Sequence, residues 1–322
     1  MDMQDQDESR NVEDVRGSGG GGFQFRPIHG IGLGTLAIAL IGGWVLGINP
    51  LQMLGLLSGA GTQSAPMQQT APQTADQTSG TGEAGAAEDP QFKFVSQILR
   101  STEVVWTDVF QQMGRTYENP KLRVFRDSYA TACGQGQAAA GPFYCPDDRI
   151  VYLDLGFFDL MTQQLHAPGQ FAHAYVIGHE VGHHVQNLLG ILGRIDAARA
   201  RSSAADSNAL SVKIELQADC FAGVWARRAQ QERGWRLQSG DIETALNAAS
   251  QIGDDTLQKQ ARGTVVPETF THGTSAQRVS WFKRGLDSGD INQCDTFGTG
   301  KVAGGIPPAT PRSKSSSGES DG

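Results

Sequence analysis

A mixed α+β domain carried behind a single transmembrane helix is the architecture that this 322-residue sequence predicts. Three observations predict it. Between residues 27 and 75 there is no Asp, Glu, Lys or Arg, and the stretch contains one long apolar run. Residues 91–297 mix apolar stripes at helical spacing with short β-prone runs. One of those stripes carries His179-Glu180-Val181-Gly182-His183.

Lys plus Arg number 26 against 34 Asp plus Glu, and the formal net charge of −8 argues against a nucleic-acid partner. Residues 1–29 are polar and Gly-rich, with acids at Asp2, Asp5, Asp7, Glu8, Glu13 and Asp14, and nothing there is expected to build a core. Residues 30–57 are the anchor. The run 31–48 (IGLGTLAIALIGGWVLGI) crosses most of a hydrocarbon layer about 30 Å thick at about 1.5 Å per residue, and 51–57 extends it. The leader before it is too long and too acidic for a cleaved signal peptide. Arg10, Arg16 and Arg26 precede the run and no basic residue follows until Lys93, which places residues 1–29 in the cytoplasm and the remainder across the membrane. Residues 58–90, rich in Gln, Thr, Ala, Gly, Ser and Pro, form a flexible linker, and 298–322 a disordered tail.

Within 91–297, apolar residues from Phe94 to Met113 recur every three or four positions and predict an amphipathic helix ending near Gly114. Residues 122–125 read as a strand. Residues 142–145 and 149–154 read as a hairpin around Pro146-Asp147-Asp148. Further helices are expected at 171–192, 210–233 and 242–252. The strand 149–154 is the candidate exposed edge to which an extended peptide could add.

The chemistry resides in the H-E-x-x-H. Two histidines four residues apart leave one helical face together and can both offer a ring nitrogen to one Zn²⁺, while Glu180 beside the first can take a proton from water. A third histidine at the position of Leu189 is absent. The third ligand is instead expected from Glu215-Leu216-Gln217-Ala218-Asp219: Glu215 on the metal and Asp219, one turn on, accepting the free N–H of a ligating histidine. His184 projects about 100° from His183 and is not counted as a ligand. His166 and His173 are not counted either.

These segments resemble the bacterial putative neutral zinc metallopeptidase family. The resemblance takes in the stretch from Ala174 to Asn187, Glu215 to Trp225, Gly141 to Pro146, Phe270-Thr271-His272-Gly273-Thr274-Ser275, Cys294 to Phe297 and Asn11-Val12-Glu13-Asp14. It implies a zincin-like domain whose third zinc ligand is Glu.

The resulting expectation is a single-pass inner-membrane protein with its catalytic domain on the periplasmic side. His179, His183 and Glu215 hold Zn²⁺, Glu180 is the general base and His272 steadies the oxyanion of a peptide or protein substrate. Two rivals are a metal-bound envelope protein that holds clients without cleaving them, and a zinc amidase acting on cell-wall peptides. Four cysteines allow three connectivities. Cys133 and Cys145 bracket a Gly/Ala-rich excursion and can close a local loop, which leaves Cys220 for Cys294. Paired cysteines suit a translocated domain.

Overall fold

The computed structural model describes residues 1–3, 6–17, 89–137, 141–231, 235–298 and 302. The apolar run 31–48, the linker up to residue 88 and nearly all of the tail lie outside them. Among the described residues no helix is long and apolar enough to cross a membrane.

In chain order the elements are β1 (Val12–Asp14), α1 (Pro90–Gln112), β2 (Lys121–Phe125), β3 (Ser128–Thr131), β4 (Gly134–Gln137), β5 (Phe143–Cys145) and β6 (Ile150–Asp154). Then come α2 (Gly156–Gln163), α3 (Gln170–Leu188), α4 (Ile191–Arg199), α5 (Ala204–Ala229), α6 (Asp241–Gln251), α7 (Asp254–Arg262) and α8 (Ser275–Ser288). The architecture is α+β and mostly helical, with a small sheet.

Helix α1 starts where the sequence stops it from starting earlier: the Asp89 carboxylate accepts from the main-chain N–H groups of Gln91 and Phe92, and Pro90 takes the first helical position. Its buried stripe runs Val95, Ile98, Leu99, Val105, Trp106, Val109 and Phe110. The long helices differ from expectation at their ends. Gly190, in the left-handed region at φ 70°, splits the expected 171–192 helix into α3 and α4. Helix α5 begins earlier than expected, at a Ser203 cap that accepts from the Asp206 N–H.

The four-stranded sheet has the order β1-β2-β6-β5, with β1, β2 and β6 parallel and β5 antiparallel to β6. Residues 150–154 are therefore internal and not the expected open edge. All five are buried, the uniform pattern of a strand covered on both faces. The edge on that side is β5.

The first residues also depart from expectation. Expected to build no core, they fold onto the domain, with Val12, Glu13 and Asp14 paired to Leu122, Arg123 and Val124. Composition missed this because three residues suffice for an edge strand when the partner strand supplies the buried face.

Helices α3 and α5 run through the main core, with α1 and α8 packed around them. Helices α5 and α8 touch backbone to backbone: a Cβ at Gly285 would lie 1.9 Å from the Cys220 carbonyl oxygen, so only glycine fits. Both expected disulfides are present, Cys133–Cys145 and Cys220–Cys294, with Cα separations of 5.7 and 5.6 Å. The second ties α5 to the 3₁₀ turn Ile291–Cys294 that follows α8.

Candidate metal centre

Helix α3 presents His179 and His183 to Glu215 of α5, and one ligand atom from each lies within 4.8 Å of the others. The approach depends on Gly182. A Cβ there would stand 3.0 Å from the Ala218 carbonyl oxygen, so a larger residue would push α3 away from the helix that carries Glu215. His179 Nε2 lies 3.1 Å from Glu215 Oε2, and His183 Nε2 lies 3.6 Å from Glu215 Oε1. Side-chain exposure rises from 8% at His179 to 14% at His183 and 19% at Glu215, which leaves the site open on one side.

The far nitrogen of each ring is held by a different acceptor. His179 Nδ1 lies 2.8 Å from Asp219 Oδ1, and His183 Nδ1 lies 2.9 Å from the side-chain oxygen of Gln186. With the Nδ1 atoms each given to an oxygen, both Nε2 atoms face Glu215. Two imidazole nitrogens and a carboxylate with fixed tautomers are the donor set that zinc takes. The electrostatics agree. Burial alone would lower the His179 pKa, yet Asp219 and Glu215 push it up to about 10. Glu215 stays well below the usual carboxylate range against its own burial, through His183 and His179. A field that holds a proton this firmly also suits a cation.

Asp219 is itself gripped. Arg278 of α8 donates Nε to Oδ2 and Nη2 to Oδ1, each at 2.9 Å, and the Tyr175 hydroxyl donates to Oδ1 at 2.5 Å. Burial opposes the Asp219 charge, but Arg278 and His179 hold its pKa down to about 2. Gln186 is fixed in the same way, donating to the Ile214 carbonyl at 2.8 Å and to the Gln217 side chain at 3.1 Å.

Glu180 is buried, 8% exposed, and desolvation raises its pKa despite the nearby histidines and a hydrogen bond from the Tyr144 main chain. Tyr144 belongs to the edge strand β5, so the edge runs past the carboxylate. His272 feels the charge of Glu215, and its Nδ1 lies 3.2 Å from Asp254 Oδ1. The other oxygen of Asp254 accepts the main-chain N–H groups of Thr271, His272 and Gly273 at 2.8, 2.6 and 3.0 Å. This clamp fixes the whole histidine loop.

The histidines left out of the ligand set have structural partners. His184 Nδ1 lies 3.1 Å from the Tyr144 hydroxyl and its Nε2 donates to the Glu118 carbonyl at 2.7 Å, which ties α3 to β5. His173 stacks on Phe158 with ring centroids 4.2 Å apart.

Gln186, Tyr175 and Asp254 received no role from the sequence, and Arg278, which the sequence places about one and a half turns beyond His272 as its companion, received none toward Asp219. One signal was available for Arg278: Thr274-Ser275-Ala276-Gln277 forms a capping box that starts α8 and so sets the register of Arg278.

A family profile described as "putative neutral zinc metallopeptidase" matches residues 1–297. The chain belongs to this family. It is similar to the uncharacterized protein YpfJ of Escherichia coli K12, 48% identical over 304 residues that cover 92% of this chain and 99% of the relative. An uncharacterized protein of Mycobacterium tuberculosis H37Rv is 46% identical over 206 residues, 61% of this chain and 67% of that one. No solved structure matches. The match takes in Val12, Glu13 and Asp14, in agreement with their place in the sheet.

Proposed function

We propose that the protein is a zinc-dependent endopeptidase that hydrolyses peptide bonds of proteins or peptides at the bacterial cell envelope. The observation that carries this reading is the convergence of His179, His183 and Glu215 within 4.8 Å, with Glu180 buried beside them. A zinc ion held by these three residues would polarise the scissile carbonyl and acidify water.

The remaining work falls to the chain's own side chains. Glu180, whose pKa is raised by burial, takes a proton from the attacking water and returns it to the leaving amine. His272, held by Asp254, donates toward the developing oxyanion. Strand β5 offers its outer edge to an extended substrate, which accounts for binding through main-chain hydrogen bonds. Asp219 and Gln186 orient the two histidines and touch no substrate. The uncharged, largely apolar sequence of residues 30–57 and the two disulfides support an envelope location.

The test uses the full chain in detergent, compared with Glu180→Gln. Metal analysis and cleavage of a peptide library are read side by side. One zinc per chain in both proteins, with cleavage lower by about 10²–10⁴ in the variant, supports the endopeptidase. Zinc in both with cleavage by neither would favour a client-holding protein, and cleavage of wall material alone would favour an amidase. Absence of zinc would overturn the ligand assignment.

A further inference from the structure

We propose that the Tyr144 hydroxyl, His184 and Asn187 form a latch that fixes strand β5 to helix α3, and that this latch makes Tyr144 a positioning residue for an extended polypeptide substrate on the outer edge of β5. The inference deepens the endopeptidase reading and takes the class of substrate from it.

A strand as short as β5 needs a hold from outside the sheet. It has three residues, and its register rests on Phe143 opposite Tyr152, Tyr144 opposite Val151 and Cys145 opposite Ile150. It stands at the end of the sheet order, and among the described residues no strand pairs with its outer side. Side chains alternate along a strand, so the two faces of β5 are held differently. Phe143 and Cys145 turn to the smaller apolar cluster, where Phe143 stacks on Tyr152 with ring centroids 5.0 Å apart and Cys145 is bonded to Cys133. Tyr144 turns the other way, into the main core, where its ring meets the His184 ring edge to face at 5.4 Å.

The direction of each hydrogen bond in the latch follows from its ends. Asn187 Nδ2 donates to the Tyr144 hydroxyl oxygen at 2.8 Å. His184 Nε2 donates to the Glu118 carbonyl at 2.7 Å, so Nδ1 of the neutral ring is left to accept, and the Tyr144 O–H donates to it at 3.1 Å. One hydroxyl therefore both gives and receives, and its two partners are neighbours on one face of α3. Asn187 also reaches the Pro146 carbonyl, just beyond the strand, at 3.4 Å. The strand held in this way runs past Glu180, which accepts the Tyr144 main-chain N–H. A single helix thus carries the histidines that face Glu215 and the two side chains that set where the sheet edge lies beside them.

The test reads strand order and polypeptide binding without turnover. The full chain in detergent carries Glu180→Gln, and Tyr144→Phe or Asn187→Ala is added to it. Fluorescein-labelled casein, an unfolded polypeptide, is the probe, and amide hydrogen exchange is followed by mass spectrometry. Either addition is expected to speed exchange at 143–145 by about tenfold, to leave 95–110 in α1 unchanged, and to weaken casein binding by about fivefold. Unchanged exchange at 143–145 would overturn the latch, as would faster exchange spread equally through α1, the mark of general loosening. Faster exchange confined to 143–145 with casein binding unchanged, or no casein binding by the Glu180→Gln protein itself, would overturn the substrate role. Cleavage by the chain with Glu180 in place is a separate measurement: casein held through β5 but never cleaved would sink the peptidase reading and leave this one standing.

Discussion

Asp219 and Arg278 form a buried two-point ion pair between α5 and α8, with both contacts at 2.9 Å and side-chain exposures of 0% and 3%. Because Asp219 also receives His179 Nδ1, the pair joins the packing of α8 to the direction of a histidine in the proposed metal site. Removing one partner leaves the other charge buried and unmatched, which costs about 3–5 kcal/mol. Arg278→Leu is expected to lower the melting temperature by about 10 °C or more and to weaken zinc binding even in the fraction that stays folded. Chelator competition at a temperature well below the melt separates the two effects. An unchanged zinc affinity would show that Tyr175 alone suffices to orient Asp219.

Gln186 does for His183 what Asp219 does for His179, without a charge. Replacing it with Met preserves the volume of a fully buried side chain and removes the acceptor at 2.9 Å from Nδ1. The expected outcome for Gln186→Met is a loss of about 10–100-fold in zinc affinity. The Gln217 and Ile214 contacts go with it, so a modest fall in stability accompanies the change.

The grouping of His179, His183 and Glu215 was legible because it obeys local geometry. A four-residue spacing on one helix face brings His179 and His183 together, and the same spacing relates Glu215 to Asp219. Helix α1 and the β5–β6 hairpin were legible for the same reason, through an apolar period and a Pro-Asp-Asp turn. What joins distant segments was not. Arg278 and Asp254 act through partners 59 and 18 residues away, and no periodicity records such a pairing. The misplaced edge strand is instructive: residues 142–145 and 149–154 both read as strands, but which of them is open depends on β2 docking against β6. The N-terminal strand failed for the complementary reason, since its stability comes from Leu122 and Val124 and not from its own composition.

Acid should destabilise the fold partly through His173. Burial against Phe158 lowers its pKa to about 4, below the unfolded value of about 6.5. The folded state therefore favours the neutral ring. The stabilisation is complete above about pH 6.5 and is lost as pH falls toward 4. His173→Leu is expected to flatten the fall in melting temperature between those limits while leaving the value at pH 8 within a few degrees. His184, also held near 4 by burial, keeps part of the slope in the variant. Parallel melting curves with and without the substitution would remove His173 from the account.

The two disulfides should separate in their effect on the metal. Closing the 12-residue separation of Cys133 and Cys145 contributes about 3 kcal/mol by chain entropy, and the 74-residue separation of Cys220 and Cys294 about 4 kcal/mol. Their stabilities are thus similar, but their surroundings are not. Cys220 follows Asp219 directly, and the Cys294 carbonyl accepts from Gln217, which in turn accepts from Gln186 behind His183. Cys133 lies by the β3–β4 hairpin, away from that chain of contacts. Replacing Cys220 and Cys294 together by Ala is expected to lower both the melting temperature and the zinc affinity. The Cys133→Ala, Cys145→Ala double variant should lower the melting temperature and leave zinc affinity within about twofold, as for sites without shared partners. Equal zinc affinities in the two double variants would mean that Gln217 holds its place without the covalent tie.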